Sequence, residues 1–325
     1  MNDVEAIALA KAALSAWDVP DQTPQLINNR ENAVFEVSAL GGARAALRLH
    51  RPGYQSDASI RSEMIWSLGL SNAGMAVPCP IAARNGDVIA KISGSARVSS
   101  MVTWVEGVPL GADGVCLCWS DSEQLDLFHA IGAELLKLHQ ISDALILPEE
   151  FERPVLDVDG LLGDAPLWGN FWENAALTKG NSELLQGTRR ALQGLFSKHL
   201  VEGGSFGLIH ADALRENILV QNSTPVLIDF DDGGFGFRLY DLGVAMAQNW
   251  ELPNAAELAS ALTEGYGLTN EQARLLPAFT TMRALASCGW VISRYPPDSP
   301  QVEHYAGRAV RAATRFMDGT VLSGA

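Results

Sequence analysis

Two short stretches, Leu208-Ile-His-Ala-Asp-Ala-Leu-Arg-Glu-Asn-Ile-Leu-Val220 and Val226-Leu-Ile-Asp-Phe-Asp-Asp232, gather the residues best suited to chemistry. Apolar runs on either side read as strands that deliver His210, Asp212, Asn217 and Asp229 to loop ends on the same side of a small sheet, where side chains can be held rigidly. A base that orients an attacking hydroxyl, together with hard oxygen ligands that bind magnesium across phosphates, is the equipment of phosphoryl transfer. Asp212, Asn217 and Asp229 supply those groups. Asp and Asn also cap strand ends and turns, and any one of these residues alone reads that way.

Together and in order, they resemble the aminoglycoside phosphotransferase and choline kinase superfamily, whose members share the two-lobed protein kinase fold. The family's H-G-D-x-x-x-x-N loop is matched by His210-Ala-Asp212 through Asn217, and its I-D-F-D by Ile228-Asp-Phe-Asp231. The resemblance implies that Asp212 is the catalytic base, that Asn217 and Asp229 hold Mg2+, and that Asp231 assists a second ion. The family's later acidic residue falls on Asp241 of Tyr240-Asp-Leu-Gly243, where it braces the catalytic loop. His210 is either a structural histidine bonded to the loop backbone or a direct participant. Arg215, exposed by default, is placed for a contact with phosphate or an acidic substrate. Ala211 stands where the family commonly has Gly, which tightens the backbone beside the base.

The first half, by the same resemblance, binds ATP. Arg48 takes the position of the usual phosphate-binding lysine, with Glu63 on the following helix as ion-pair partner; arginine keeps the charge, but its planar head is not a point charge. Asn28 to Phe35 stand in place of the phosphate-covering loop without a G-x-G-x-x-G, and Asn32 is the candidate there. Adenine is expected against the strand Met101 to Trp104, with Met101 and Thr103 as contacts.

The elements that must position these residues follow from apolar periodicity. Val4, Ile7, Ala10, Leu14 and Trp17 recur at helical spacing until Pro20. The period then changes: Val34, Phe35 and Val37, followed by Ala45 to Leu49, read as strands joined at Gly41-Gly42, and 57 to 70 is helical again. Further short strands are expected near 78 to 82, 87 to 92 and 96 to 105. Ser120-Asp-Ser-Glu123 forms a capping box that opens a long helix through Leu138. Residues 141 to 180 read as irregular, 182 to 200 as helix, and 240 to the end as helices interrupted at Pro253, Pro277 and Pro296-Pro297. The expected fold is α+β and two-lobed: a small N-terminal sheet lobe over 1–104 and a larger, mostly helical C-terminal lobe over 105–325.

A chain of 325 residues with 47% hydrophobic content buries a substantial core. A net charge of −15 argues against binding nucleic acid or anionic lipid and suits a cationic substrate. No basic leader and no apolar run of about 18 residues is present, so a cytoplasmic protein is expected. Cys79, Cys116, Cys118 and Cys288 are too scattered for a disulfide framework. The strand ending at Gly53 and the segment Phe235-Gly-Phe-Arg-Leu-Tyr240 look most like the branch of type II homoserine kinases and stress-response kinases. The implied reaction is ATP- and Mg2+-dependent phosphorylation of a hydroxyl on a small molecule, an amino alcohol or hydroxy amino acid, by a monomer or homodimer. An aminoglycoside or protein Ser/Thr acceptor is an alternative. So is an inactive nucleotide-binding regulatory protein, suggested by Arg48 and the glycine-poor loop. A metal-dependent hydrolase would want His ligands, and His210 has no neighbour at ligand spacing.

Overall fold

The strands of the first half alternate inward and outward residues, and their pairing sets one apolar face. In the computed structural model, which describes residues 1–30 and 32–322, Ala33–Ser38 pairs antiparallel with Arg44–Leu49 so that Ala33, Phe35 and Val37 lie opposite Leu49, Leu47 and Ala45. The turn between them holds Gly41 and Gly42, both at positive φ, where only glycine sits without strain. In chain order this unit contains helix α1 (Asp3–Ala13), strands β1 (Gln25–Asn29), β2 (Ala33–Ser38) and β3 (Arg44–Leu49), helix α2 (Asp57–Asn72), and strands β4 (Ile89–Lys91) and β5 (Val98–Thr103). The strands form one sheet in the order β1-β2-β3-β5-β4. Ala6, Ala10 and Ala13 of α1, with Leu14 and Trp17, bury its apolar face.

Segment 78 to 82, expected as a strand, makes only an isolated bridge at Pro80 to Val102, since proline cannot donate to a ladder. Strand β1 was not foreseen, because Gln25-Leu-Ile-Asn-Asn29 is mostly exposed and shows no apolar alternation.

The chain divides into two units: Met1–Glu106 with Ala144–Arg153, and Gly107–Asp143 with Pro154–Ala325. The segment 144–153, which the sequence reading placed in the second half, joins the first unit because Arg153 donates to the Ser59 carbonyl and Glu152 N–H to the Ser62 hydroxyl.

The second unit continues with β6 (Val108–Pro109), α3 (Asp121–Ala144), β7 (Val155–Leu156), α4 (Val158–Leu162), α5 (Lys179–Val201), β8 (Phe206–Ile209), β9 (Ile218–Gln221), β10 (Thr224–Leu227), β11 (Gly234–Phe237), α6 (Arg238–Met246), α7 (Ala255–Tyr266), α8 (Asn270–Ala273), α9 (Leu276–Trp290) and α10 (Pro300–Met317). Ser120 and Glu123 form the capping box that opens α3. Helix α9 is buried along nearly its whole length, and Phe279 stacks on Phe196 of α5 at 4.3 Å in a core shared with Phe237.

The expectation of one sheet carrying both site strands is corrected: β8 belongs to a three-stranded sheet β7-β11-β8, and β10 to another, β10-β9-β6. Their ends still meet, because Ile228 N–H donates to the Asn217 carbonyl and the Ile228 carbonyl lies 3.0 Å from His210 Nε2.

Candidate active site

Asp241 organises the loop that follows β8. It sits near the start of α6, fully buried, and its carboxylate accepts from the backbone N–H groups of His210 at 2.8 Å and Ala211 at 2.6 Å. His139 of α3 adds a third bond, Nε2 to Asp241 Oδ2 at 3.0 Å. Burial pushes Asp241 upward, yet these donors outweigh it and hold its carboxyl below the usual range. His139 is held below its usual value by burial, so the ring is neutral. Its Nε2 must then carry the proton, and Nδ1 accepts from the Tyr266 hydroxyl at 2.7 Å.

His210 is also buried and lowered by burial. One ring nitrogen faces the Ile228 carbonyl, and the other accepts from Asp212 N–H at 3.3 Å. Both nitrogens serve the loop backbone. Ala211 adopts φ 62, the left-handed region that the family's glycine enters freely.

This frame sets Asp212 between two donors. Asn217 Nδ2 donates to Asp212 Oδ2 at 2.7 Å and to its carbonyl at 2.9 Å. Arg283 Nη2 donates to Oδ1 at 2.6 Å. Burial raises the Asp212 pKa well above the ordinary carboxylate value; Arg283 opposes that, while Asp232, Asp229 and Glu216 add to it. Asp229 itself holds φ 65, a conformation costly for a residue other than glycine and typical of sites where the surroundings fix the backbone.

Magnesium fits this oxygen set. Both partners of the Asn217 amide nitrogen are acceptors, which fixes the amide orientation and leaves its oxygen for a cation. The crowding of Asp232 and Asp229 near Asp212 is the kind a dication offsets. Among the described residues no group of three or more His, Cys, Asp and Glu side chains forms a ready-made cage. Magnesium is ordinarily held by one or two carboxylates with phosphates and waters.

Arg215 is not the exposed side chain that was expected. It is 3% exposed, and its guanidinium donates to Asn249 Oδ1 and to the carbonyls of Ala112, Val115 and Gln248. Those four bonds make it a brace between the loop after β8, the 110–119 segment and the turn after α6, and take up four of its five N–H donors.

In the first unit, Arg48 Nη1 lies 3.0 Å from Glu63 Oε1. Asn32 Oδ1 accepts from Arg51 N–H at 2.9 Å, which ties the β1–β2 turn to the end of β3. Met101 and Thr103, the expected adenine contacts, are bonded to segment 79–81. The Met101 side chain is in the core and its carbonyl accepts from Ile81 N–H, while Thr103 exchanges bonds with Cys79 through both its N–H and its hydroxyl.

Two residues escaped the sequence reading. Arg283 and His139 lie 71 and 102 positions from the carboxylates they hold, and nothing local marks either one. Of the aromatic side chains considered as walls, Trp168 reaches Arg283, with the guanidinium 5.8 Å over its ring. Trp250 is core, Trp172 carries Arg189, and Tyr266 serves His139.

A model of the phosphotransferase enzyme family, APH, matches residues 23–284, most of the chain and the whole site just described. The chain belongs to this family. As a member of the phosphotransferase family it is similar to a microcompartment-associated aminopropanol kinase of known structure, with 28% identity, 97% of this chain and 99% of that one covered, and a TM-score of 0.82. An amicoumacin kinase solved with AMP-PNP, Ca2+ and Ami shares the fold at 18% identity and a TM-score of 0.77, over 98% of this chain and 94% of that one. A homoserine kinase of Rhizobium johnstonii is 25% identical over 69% of this chain and 67% of its own length. The protein-kinase-like fold and the activity class, a small-molecule phosphotransferase acting on an alcohol, thus stand with the family. No helix among the described residues is long and apolar enough to cross a membrane.

Proposed function

We propose that the enzyme transfers the γ-phosphoryl group of ATP to the hydroxyl of a small amino alcohol or hydroxy amino acid, with Asp212 as base. The observation that carries this is the double clamp on Asp212, whose two carboxylate oxygens are held by Asn217 and Arg283 among further acidic side chains. Each oxygen keeps a lone pair for an incoming hydroxyl. Asp212 takes the hydroxyl proton as the acceptor oxygen bonds to the γ-phosphorus; the bond from that phosphorus to the bridging oxygen breaks, and ADP leaves. Asn217 and Asp229, with Asp231, would hold Mg2+, which would neutralise charge on the phosphates. Arg48, kept in place by Glu63, serves the phosphate end.

The acceptor class rests on charge and kinship. Asp232, Asp229 and Glu216 add negative potential around Asp212 against the opposing Arg283, which suits a substrate bearing an ammonium group. The aminopropanol and homoserine kinases among the relatives act, by name, on such molecules.

ADP release measured against 1-amino-2-propanol, ethanolamine, L-homoserine, an aminoglycoside and a serine peptide tests the acceptor. Stimulation by one of the first three is expected, and by the last two only would overturn the class. Asp212→Asn is expected to lower turnover by about 10²- to 10⁴-fold with the fold intact. An unchanged rate would end the assignment of the base, and no stimulation by any acceptor would favour a regulatory nucleotide-binding role.

A further inference from the structure

Arg283 stands in an unusual position for a guanidinium: 9% exposed, on a helix buried along almost its whole length, with Nη2 on the base at 2.6 Å and Nη1 3.5 Å from the Ala211 carbonyl. Its planar fork thus grips both the side chain and the backbone of the catalytic loop. A buried ion pair is a poor device for stability, since desolvating two charges offsets much of their attraction. One placed on the reacting carboxylate needs a different reason.

That reason lies in the freedom of an Asp side chain. Its terminal torsion is broad and roughly two-fold, so packing alone does not fix the carboxylate plane. Asn217 secures Oδ2 from the loop before β9, and Arg283 secures Oδ1 from helix α9.

Helix α9 is in turn seated by glycines. A methyl group at Gly243 of α6 would stand 2.5 Å from the backbone carbon of Phe279, one helical turn before Arg283 and on the same face. At Gly289 it would stand 2.5 Å from the Gly169 carbonyl oxygen and 2.7 Å from that of Trp168. Arg283 lies between these two close approaches, and the Trp168 ring covers its guanidinium.

We infer that Arg283 is the positioning residue of the base: delivered by the glycine-seated α9, it fixes the Asp212 carboxylate in the orientation that receives the hydroxyl proton. The inference rests on the reading of Asp212 as base. A misplacement of about 1 Å at a reacting group costs on the order of 10²-fold in rate.

The test uses the full chain and follows ADP release from ATP with Mg2+, with the best acceptor or, without one, with water as acceptor. Arg283→Ala is expected to lower kcat about 100-fold and leave the KM for ATP within about twofold, with partial recovery on adding guanidinium at tens of millimolar. In the Asp212→Asn background the same change is expected to cost nothing further, because both variants remove one unit. Retention of kcat within about threefold in folded Arg283→Ala, or an equal loss in both backgrounds, overturns the inference.

Should Arg283→Ala fail to fold, Arg283→Lys keeps the charge and loses the fork. A fall in kcat of about tenfold at unchanged KM is then expected, and a wild-type kcat overturns the role. If Asp212→Asn itself turns over like the wild type, the base assignment fails and the positioning role falls with it. If only Arg283→Ala is silent, the base stands and Arg283 is packing.

Discussion

Three donors converge on Asp241, and two of them are the N–H groups of His210 and Ala211 in the loop after β8. Asp241→Asn would turn an amide donor toward at least one of those donors, a buried mismatch that costs about 1–3 kcal/mol. Asp241→Asn is expected to lower Tm and to cut kcat by displacing Asp212, while leaving the Arg48–Glu63 pair of the other unit in place. Equal Tm and kcat for variant and parent would show that the loop holds itself. At this scale the sequence was most legible where roles are local: Asp212, Asn217, Asp229 and Asp241 stand in ordered motifs, and Asn217 does reach Asp212. Arg215 and Arg283 show the limit. Spacing suggests a free Arg215, whereas folding commits four of its donors, three of them to backbone carbonyls, and the arginine that meets Asp212 comes from a helix with no motif at all. Ala211 shows how magnitudes settle a departure from the family. Its left-handed backbone costs about 1–2 kcal/mol against glycine, but its buried methyl group and lower chain entropy return roughly that amount, so the alanine is tolerated.

Between Asn217 and Asp229 the chain makes a two-residue hairpin, with Gln221 opposite Thr224 and the turn residues Asn222 and Ser223 at φ 49 and 63. Positive φ at both central positions is the primed turn whose twist matches paired strands. Strands over 206–209 and 226–228 are expected from their apolar runs, but β9 falls inside the polar loop expected between them, because Asn-Ser is a weaker turn signal than Asn-Gly. Pro225 is accommodated because β10 is an edge strand. The hairpin matters to the site, since it fixes how far Asp229 lies along the chain from Asn217 while their backbones meet at Ile228. Ser223→Gly is expected to stabilise the protein by about 0.5–1 kcal/mol, relief of left-handed strain less glycine's entropy. Ser223→Val is expected to destabilise it, because a β-branched residue is a true outlier at positive φ. Denaturant unfolding of the two variants decides the matter: a rise in midpoint for both, or a fall for both, contradicts the turn. Long helices were legible from their period, and α3 even from its cap. Short strands such as β1 and β11 were not, because their partners, and not their own apolar pattern, make them strands.

At the scale of the molecule, acidification sets two effects against each other. A net charge of −15 repels itself, and protonating exposed carboxylates relieves that repulsion. His139 and His210 act in the opposite sense. Burial holds both below their usual pKa, so they stay neutral in the fold while the unfolded chain takes up a proton on each as pH falls through about 6.5. More protons bound by the unfolded chain means that the contribution of these histidines to stability is full above that pH and is lost as pH falls below it. His139→Gln separates the two effects. Glutamine can donate to Asp241 and accept from Tyr266, keeping the hydrogen bonds without a titrating ring. Unfolding free energies measured from pH 7.5 to 5.5 are expected to fall more steeply for the parent than for His139→Gln. Parallel curves would mean that His139 takes up its proton inside the fold, and the neutral ring linking Tyr266 to Asp241, on which the bracing of the loop depends, would have to be given up.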